Sequence, residues 1–353
     1  MDKFKELMEN KLFKICLLSI VVLIIIIVVI AVIAGSVGSK VTEASLEKAA
    51  QSYLEKNPSM YPQDKYATTT VSISTLVNAG YISSKSDGAS CPSYVTVINM
   101  GNTYGYSATL KCGTEKTNTL LSKLTLNQVT SGDGLYNLNG KYVFRGENPN
   151  NYVQFAESKW RIIGIDEYNN IKMIYSDIVT SDYYIKWDDR YNEETNDSKG
   201  INNFDVSRLK EFLDSYIDNN ITLFTAKRMM KLSKHSVCTG KINETDTNVC
   251  SSNVDNLYVS TITAQDYINA SLDSNCSITN SVSCQNYNYL NKKLWTITAY
   301  KDNTYSAYYV DDDEGLVQGI TYMTRSTLPV ISLRSDTLYV SGSGTYADPF
   351  MIK

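Results

Sequence analysis

The sequence predicts an α+β protein whose first element is a transmembrane helix. Three features lead to this fold class. Residues 12–34 form an aliphatic run, six cysteines follow it in sequence-local pairs, and short β-like runs and amphipathic segments share the rest of the chain. We therefore expect a cytoplasmic tail with a transmembrane helix (1–39), a small domain (40–115), a linker (116–134) and an α+β head (135–353).

The aliphatic run is long enough to cross a membrane. Its 23 residues would span roughly 35 Å as a helix, and the hydrocarbon core of a bilayer is ~30 Å thick. The alternative is a signal peptide cleaved after Ala34, but the apolar core of a signal peptide usually has only about 7–15 residues. The lysines Lys3, Lys5, Lys11 and Lys14 lie before or at the start of this run, which predicts a single-pass cell-membrane protein with a cytoplasmic N-terminus and most of its chain outside.

The cysteines also favour an exported protein. Six of the seven follow the aliphatic run, and local pairing predicts the disulfides Cys91–Cys112, Cys238–Cys250 and Cys276–Cys284. The first would close a hairpin with its turn at Gly101 and Asn102, which places Val95 opposite Ala108 and Val97 opposite Tyr106. The chain has no C-x-x-C motif and a single histidine, so no zinc site is expected.

Local patterns predict the remaining elements. The segment 40–56 has an apolar stripe at helical spacing and is expected to continue the transmembrane helix as far as Asn57. Further helices are predicted at 74–79, 206–217 and 223–232 and after Thr263, where Thr-Ala-Gln-Asp resembles a capping box. Strands are predicted at 141–145, 159–166, 171–176, 305–310, 316–321 and 328–333.

A few residues of the head are candidates for core or site positions. Trp160 and Trp295 are expected in the core, since tryptophan is most often a packing residue. Arg161 could bind a ligand carboxylate, although a salt bridge at a sheet edge is the expected role. The candidate calcium ligands are Asp311 and Asp313, and Asp188 in the WDDR stretch.

No metal site is predicted from these acids. Calcium needs about six to eight converging oxygens, whereas consecutive acids on a strand point in alternating directions. The run of acids at 311–314 is therefore expected to form a hairpin turn that ends at Gly315, and the loop of Asp188 is expected to be solvated.

The sequence predicts neither a catalytic residue nor a cofactor. His235 has serines nearby, but no nucleophile-elbow motif surrounds them, and an exposed loop histidine is expected. The net charge is −4 and basic clusters are absent, which argues against nucleic acid as a partner. The 27 tyrosines suit either a binding surface or the core and rim of a β-rich domain.

Two resemblances extend this interpretation. The first 115 residues, with VSISTLVNAGYI followed by Cys91 and YVTV, resemble type IV pilins and pseudopilins, in particular the pilin-like ectodomains of Gram-positive bacteria. The prepilin peptidase signature of the Gly-Phe-Thr-Leu type is absent from NKLFKICLLSIVV. The resemblance implies a pilin-like stalk that could self-associate through 41–54.

The head resembles a second group. It is similar to uncharacterised surface proteins of low-GC Gram-positive bacteria, and distantly to the C-type-lectin-like and formylglycine-generating-enzyme fold. The stretches that carry this resemblance are NNYVQFAESKWRIIGI, TITAQDYINAS, LWTITAY, AYYVDDDEG, LPVISLRSD and GSGTYADPF.

These observations together predict a surface-anchored, non-catalytic binding or adhesion protein. Its expected partners are the membrane and an extracellular protein or glycan. The alternatives are a pilin-like assembly subunit and, third, an extracytoplasmic hydrolase. The absent peptidase signature argues against the assembly subunit, and the absent catalytic constellation argues against the hydrolase.

Overall fold

The computed structural model describes residues 39–112, 118–177 and 180–353. The chain divides into two compact units, Met1–Thr114 and Glu115–Lys353. Within the described residues, no helix is both long and apolar enough to cross a membrane. The predicted transmembrane helix, and the single-pass membrane localisation that rested on it, are corrected accordingly. The aliphatic run 12–34 itself lies outside the described residues.

The first unit packs helices on a three-stranded antiparallel sheet. The helices are α1 (Glu43–Lys56) and α2 (Ile73–Asn78), and the strands, in their spatial order, are β1 (Thr68–Ser72), β2 (Tyr94–Asn99) and β3 (Tyr104–Thr109). Val95 pairs with Ala108 and Val97 with Tyr106, which confirms the predicted register. The Cys91–Cys112 disulfide is also present, as predicted.

Helix α1 does not continue from a helix before it. Thr42 has extended backbone angles, and its hydroxyl accepts the amide of Ser45 at 3.1 Å while the Ser45 hydroxyl accepts the amide of Thr42 at 2.9 Å. This capping box satisfies amides that a continuous helix would bond internally, so α1 starts at Glu43. The expectation of one helix that runs through residue 40 was wrong.

The apolar face of α1 is covered by its own unit. Leu46, Ala50 and Leu54 are fully buried against the sheet and α2. The apolar side chains of residues 41–54 therefore supply part of the core of this unit. Whether the segment self-associates, as the resemblance implied it could, stays a prediction.

The second unit contains the remaining elements. Its helices are α3 (Leu120–Thr125), α4 (Arg208–Asn219), α5 (Ala226–Met229) and α6 (Ala264–Ala270). Its strands are β4 (Gly134–Leu138), β5 (Lys141–Arg145), β6 (Tyr152–Phe155), β7 (Ser158–Ile165), β8 (Ile171–Tyr175), β9 (Tyr184–Lys186), β10 (Leu232–Ser233), β11 (His235–Cys238), β12 (Asn253–Leu257), β13 (Leu294–Ala299), β14 (Ser306–Asp311), β15 (Gly315–Ile320), β16 (Thr324–Ser326), β17 (Val330–Leu333), β18 (Tyr339–Ser341) and β19 (Phe350–Ile352).

These strands form three sheets of unequal size. The largest has nine strands, with the path β10-β17-β8-β7-β6-β19-β18 and the β4–β5 hairpin attached through β7. A five-stranded sheet has the order β15-β14-β13-β16-β9, and β11 pairs only with β12. Part of the predicted linker is folded, since α3 buries Leu120 and Leu124.

The α+β class is corrected to a mostly β fold of several sheets. Of the residues that the structure describes, 33% lie in strands and 20% in helices. The helix predicted at 223–232 shrinks to Ala226–Met229, because Leu232 pairs with Leu333 as part of β10. The capping box predicted at Thr263 is present and starts α6. Both head disulfides, Cys238–Cys250 and Cys276–Cys284, are confirmed.

Candidate functional site

A polar cleft of about 260 Å³ lies in the second unit beside the Cys238–Cys250 disulfide. Three pieces of chain form it: the β11–β12 hairpin, the 3-10 turn Phe204–Val206 and the end of β13. The lining residues are Asn202, Asn203, Phe204, Asp205, Thr239, Lys241, Ser252, Asn253 and Ala299.

The disulfide holds one wall of the cleft together. Cys238 pairs with Asn253 at the end of the hairpin, and the amide of Thr239 donates to the carbonyl of Ser252 at 2.8 Å. The hydroxyls of Thr239 and Ser252 are consequently 3.2 Å apart. Two hydroxyl groups from opposite arms of the hairpin therefore face the cleft as a pair.

Asn202 anchors the floor. Its side chain is fully buried, and its Nδ2 donates to the carbonyls of Tyr300, Asn303 and Ser306 at 2.7–2.8 Å. Its Oδ1 accepts the Lys241 ammonium at 2.6 Å. Asn202 thus shapes the turn between β13 and β14 and fixes the position of the lysine.

Lys241 is the cation of the cleft. Its ammonium group donates to Asn202, and in the part of the chain that the structure describes it forms no ion pair with a carboxylate. Burial lowers the pKa of Lys241, and the charge of Glu194 opposes this effect. The Glu194 carboxylate itself accepts the amide and hydroxyl of Thr304 at 2.9 and 2.6 Å. An ammonium group carries three donors, so Lys241 has donors left for a ligand.

Asp188 is a buried structural residue and not a solvated loop acid. It is fully buried, and its carboxylate accepts the Arg190 guanidinium at 2.5 Å. It also accepts the backbone amides of Arg190, Ile201 and Arg208 at 2.9–3.3 Å. Protein donors therefore occupy both oxygens of this expected calcium candidate, and the carboxylate ties the loop before α4 to the start of that helix.

The other calcium candidates behave differently from the expectation. Asp311, Asp312 and Asp313 bring carboxylate oxygens within 4.8 Å of one another, although consecutive acids were expected to diverge. Asp311 ends β14, and Asp312 and Asp313 lie in the hairpin turn, where the chain no longer alternates as a strand does. Asp312 pairs with the Lys293 ammonium at 2.7 Å, and Asp312 and Asp313 are exposed. The turn ends at Gly315, which has a φ of +76°, as predicted.

His235 is buried in β11, and the expectation of an exposed loop residue was wrong. Its Nε2 lies 2.8 Å from the Ser260 hydroxyl, while its Nδ1 is buried without a hydrogen-bond partner. Burial, reinforced by the charge of Lys172, lowers the pKa of His235 to about 3. The acid nearby, Asp266, binds Lys172 at 2.8 Å.

This arrangement does not form a Ser-His-acid triad. A triad needs an acid at the second ring nitrogen of the histidine and a serine that a substrate can reach. Here the second nitrogen of His235 has no acid partner, and Ser260 is 0% exposed.

Arg161 makes no salt bridge within the described residues. It is only 6% exposed, and its guanidinium lies between the rings of Tyr152 and Tyr289, at 4.6 and 4.4 Å from their centroids. Its Nε donates to Asn151 Oδ1 at 2.8 Å. Burial lowers the pKa of Arg161.

The tryptophans of the second unit are core residues. Trp160 and Trp295 are 1% and 0% exposed. Trp187 is also fully buried, and its indole donates to the carbonyl of Thr296 at 2.9 Å.

A second cavity, of about 310 Å³, has a more apolar lining that includes Leu124, Leu135, Phe144 and Phe350. Its acid, Asp133, accepts the backbone amides of Glu147 and Asn148. Its cation, Lys123, lies 5.4 Å from the centroid of the Tyr339 ring. Because most residues that line the other cleft are polar, that cleft is the stronger candidate site for a polar ligand.

The sequence did not indicate Asn202, Asp205 or Lys241 as site residues. The one available signal was the predicted Cys238–Cys250 pairing, since residues next to a disulfide are held close together. The comparisons with known proteins add no further signal, because no family model, curated protein or solved structure matches the chain.

Proposed function

We propose that the protein is a non-catalytic binding protein whose ligand contacts lie in the polar cleft of the second unit. The observation that carries this proposal is Lys241, a half-buried ammonium group held by Asn202 that forms no ion pair with a carboxylate of the described residues. Pockets that combine convergent polar groups with a perturbed ionisable residue are the usual location of binding sites.

Two further observations support binding over catalysis and an exported location. The buried His235–Ser260 pair is inaccessible to a substrate, which disfavours a hydrolase. Three disulfides are typical of proteins that fold in an oxidising compartment outside the cytoplasm. Separately, the burial of the apolar residues of α1 in their own unit counts against the alternative of a pilin-like assembly subunit that self-associates through residues 41–54.

The test is a thermal-shift screen of the intact chain against free amino acids, neutral monosaccharides and uronic acids. At least one of these classes should raise the midpoint of unfolding, and Asn203→Trp, which fills the mouth of the cleft, should abolish the increase. The matched control is Asn219→Trp, an exposed position at the end of α4. If a ligand still raises the midpoint of unfolding of the Asn203→Trp variant, the binding site lies outside the cleft. If the protein hydrolyses p-nitrophenyl acetate and Ser260→Ala abolishes this activity, the proposal of a non-catalytic binding protein is wrong and the protein is a hydrolase.

A further inference from the structure

The cleft contains an acid as well as a cation. Asp205 lines it from the 3-10 turn Phe204–Val206 and is exposed. Its backbone amide donates to Asn203 Oδ1 at 3.2 Å. Among the residues that the structure describes, Asp205 and Lys241 form no ion pair with each other or with a third side chain. Two opposite charges therefore line one small cleft without neutralising each other.

The two charges come from different elements of the chain. The Lys241 ammonium donates to Oδ1 of the buried Asn202, whose Nδ2 donates to carbonyls of the turn between β13 and β14. Asp205 lies in the 3-10 turn Phe204–Val206, and its backbone amide donates to Asn203 Oδ1. Since both charged residues line the same cleft and come from separate elements, one small ligand can contact both.

The size and the remaining lining restrict the ligand. About 260 Å³ is below the roughly 300–1,000 Å³ of typical pockets for drug-sized molecules, so the ligand is small. The paired hydroxyls of Thr239 and Ser252 and the amide of Asn253 can bind further polar groups. Phe204 and Ala299 supply a limited apolar surface.

We infer that the cleft binds a small zwitterion of the α-amino-acid class, with its carboxylate at Lys241 and its ammonium group at Asp205. This inference rests on the proposed binding function and narrows it to a ligand class. A neutral sugar would offer neither residue an opposite charge, and a simple anion or amine would pair with only one of them. An amino acid carries both charges on one small molecule and can therefore pair with both residues.

Titration calorimetry of the intact chain tests the inference with four probes: L-alanine, D-alanine, acetate and methylamine. At least one alanine enantiomer should bind, and acetate and methylamine should each bind roughly tenfold more weakly or worse, because each loses one charged hydrogen-bonding group. Acetate or methylamine that binds as tightly as alanine would overturn the inference.

Charge-neutral variants separate the two ends of the ligand. Lys241→Gln keeps a donor for Asn202, and Asp205→Asn keeps the shape of the side chain, so both should fold; each should weaken alanine binding about tenfold or more. Lys141→Gln and Glu167→Gln, exposed positions outside the cleft, should leave the affinity unchanged.

The outcomes distinguish this inference from the broader proposal. Suppose that a neutral monosaccharide binds, that Asn203→Trp blocks this binding, and that neither alanine enantiomer binds. The proposed binding function is then supported, and the inference that the ligand is a zwitterion is wrong. If alanine binds with unchanged affinity to Lys241→Gln and Asp205→Asn, the assigned contacts are wrong.

Discussion

The buried His235 should make the second unit sensitive to mildly acidic pH. Burial lowers its folded pKa to about 3, whereas an exposed histidine has a pKa near 6.5. As the pH falls below about 6.5, the unfolded chain takes up a proton that the folded chain does not, so stability is present above that pH and is lost below it. Lowering the pH from 7 to 5 should cost about 2 kcal/mol of unfolding free energy from this residue.

The charges that face His235 do not produce this effect themselves. Lys172 lies on β8 and Asp266 on α6, and they form an ion pair at 2.8 Å. Burial alone would raise the pKa of Asp266. The charge of Lys172 and the hydrogen bonds from Lys172 and Thr263 outweigh this effect, so the pKa of Asp266 is lowered. Asp266 thus stays ionised between pH 5 and 7, and the loss of stability in this window is attributable to the histidine.

The assay uses the three tryptophans as a selective probe. Trp160, Trp187 and Trp295 are the only tryptophans of the chain, and all of them are buried in the second unit. Urea unfolding followed by tryptophan fluorescence at pH 7 and pH 5 therefore reports this unit. The comparison variant is His235→Gln, whose amide can still reach Ser260 but does not titrate. The loss of unfolding free energy between pH 7 and pH 5 should be about 2 kcal/mol smaller in the variant than in the unchanged protein. An equal pH dependence in both proteins would refute the reasoning.

Three substitutions test other parts of the structure. Arg161→Lys should lower the unfolding free energy by roughly 1–3 kcal/mol in the same fluorescence assay, since an ammonium does not stack on two tyrosine rings as a guanidinium does; an unchanged midpoint would contradict the stacking role. Asp188→Asn should cost about 3–5 kcal/mol, because the Arg190 charge loses its partner, and a loss below 1 kcal/mol would speak against a buried anchor. Thr42→Ala should cost about 1 kcal/mol through the lost cap of α1; unaltered hydrogen exchange of the first-turn amides would show that the cap is dispensable.

Local features of the sequence predicted local features of the structure well. The pairing of Cys91 with Cys112, the register of Val97 against Tyr106 and the capping box at Thr263 were all predictable. Each involves residues within about twenty positions of one another. Short-range turns, caps and disulfides follow rules that depend on spacing, and spacing is visible in the sequence.

The fold class and the burial of polar residues depended on distant contacts instead. Leu232 pairs with Leu333 in a strand, which shortened a predicted helix, and strand pairings throughout the described residues make the fold mostly β. His235 became a buried residue because it pairs with Leu257 and bonds Ser260. Neither partner could be assigned from the sequence, because strand pairing and burial are set by whatever elements the whole chain brings alongside.

The candidate site shows the same division. The sequence by itself determined the Cys238–Cys250 disulfide and therefore the wall formed by Thr239 and Ser252, since those residues follow the two cysteines closely. Only the tertiary structure decided that Asn202 would meet Lys241 across 39 positions, and that Asp205 would line the same cleft. The physical reason is that a lysine, an asparagine and an aspartate have no distinguishing local pattern. Their role arises because packing buries Asn202, which then holds Lys241, and places Asp205 in the lining of the same cleft without an ion-pair partner among the described residues.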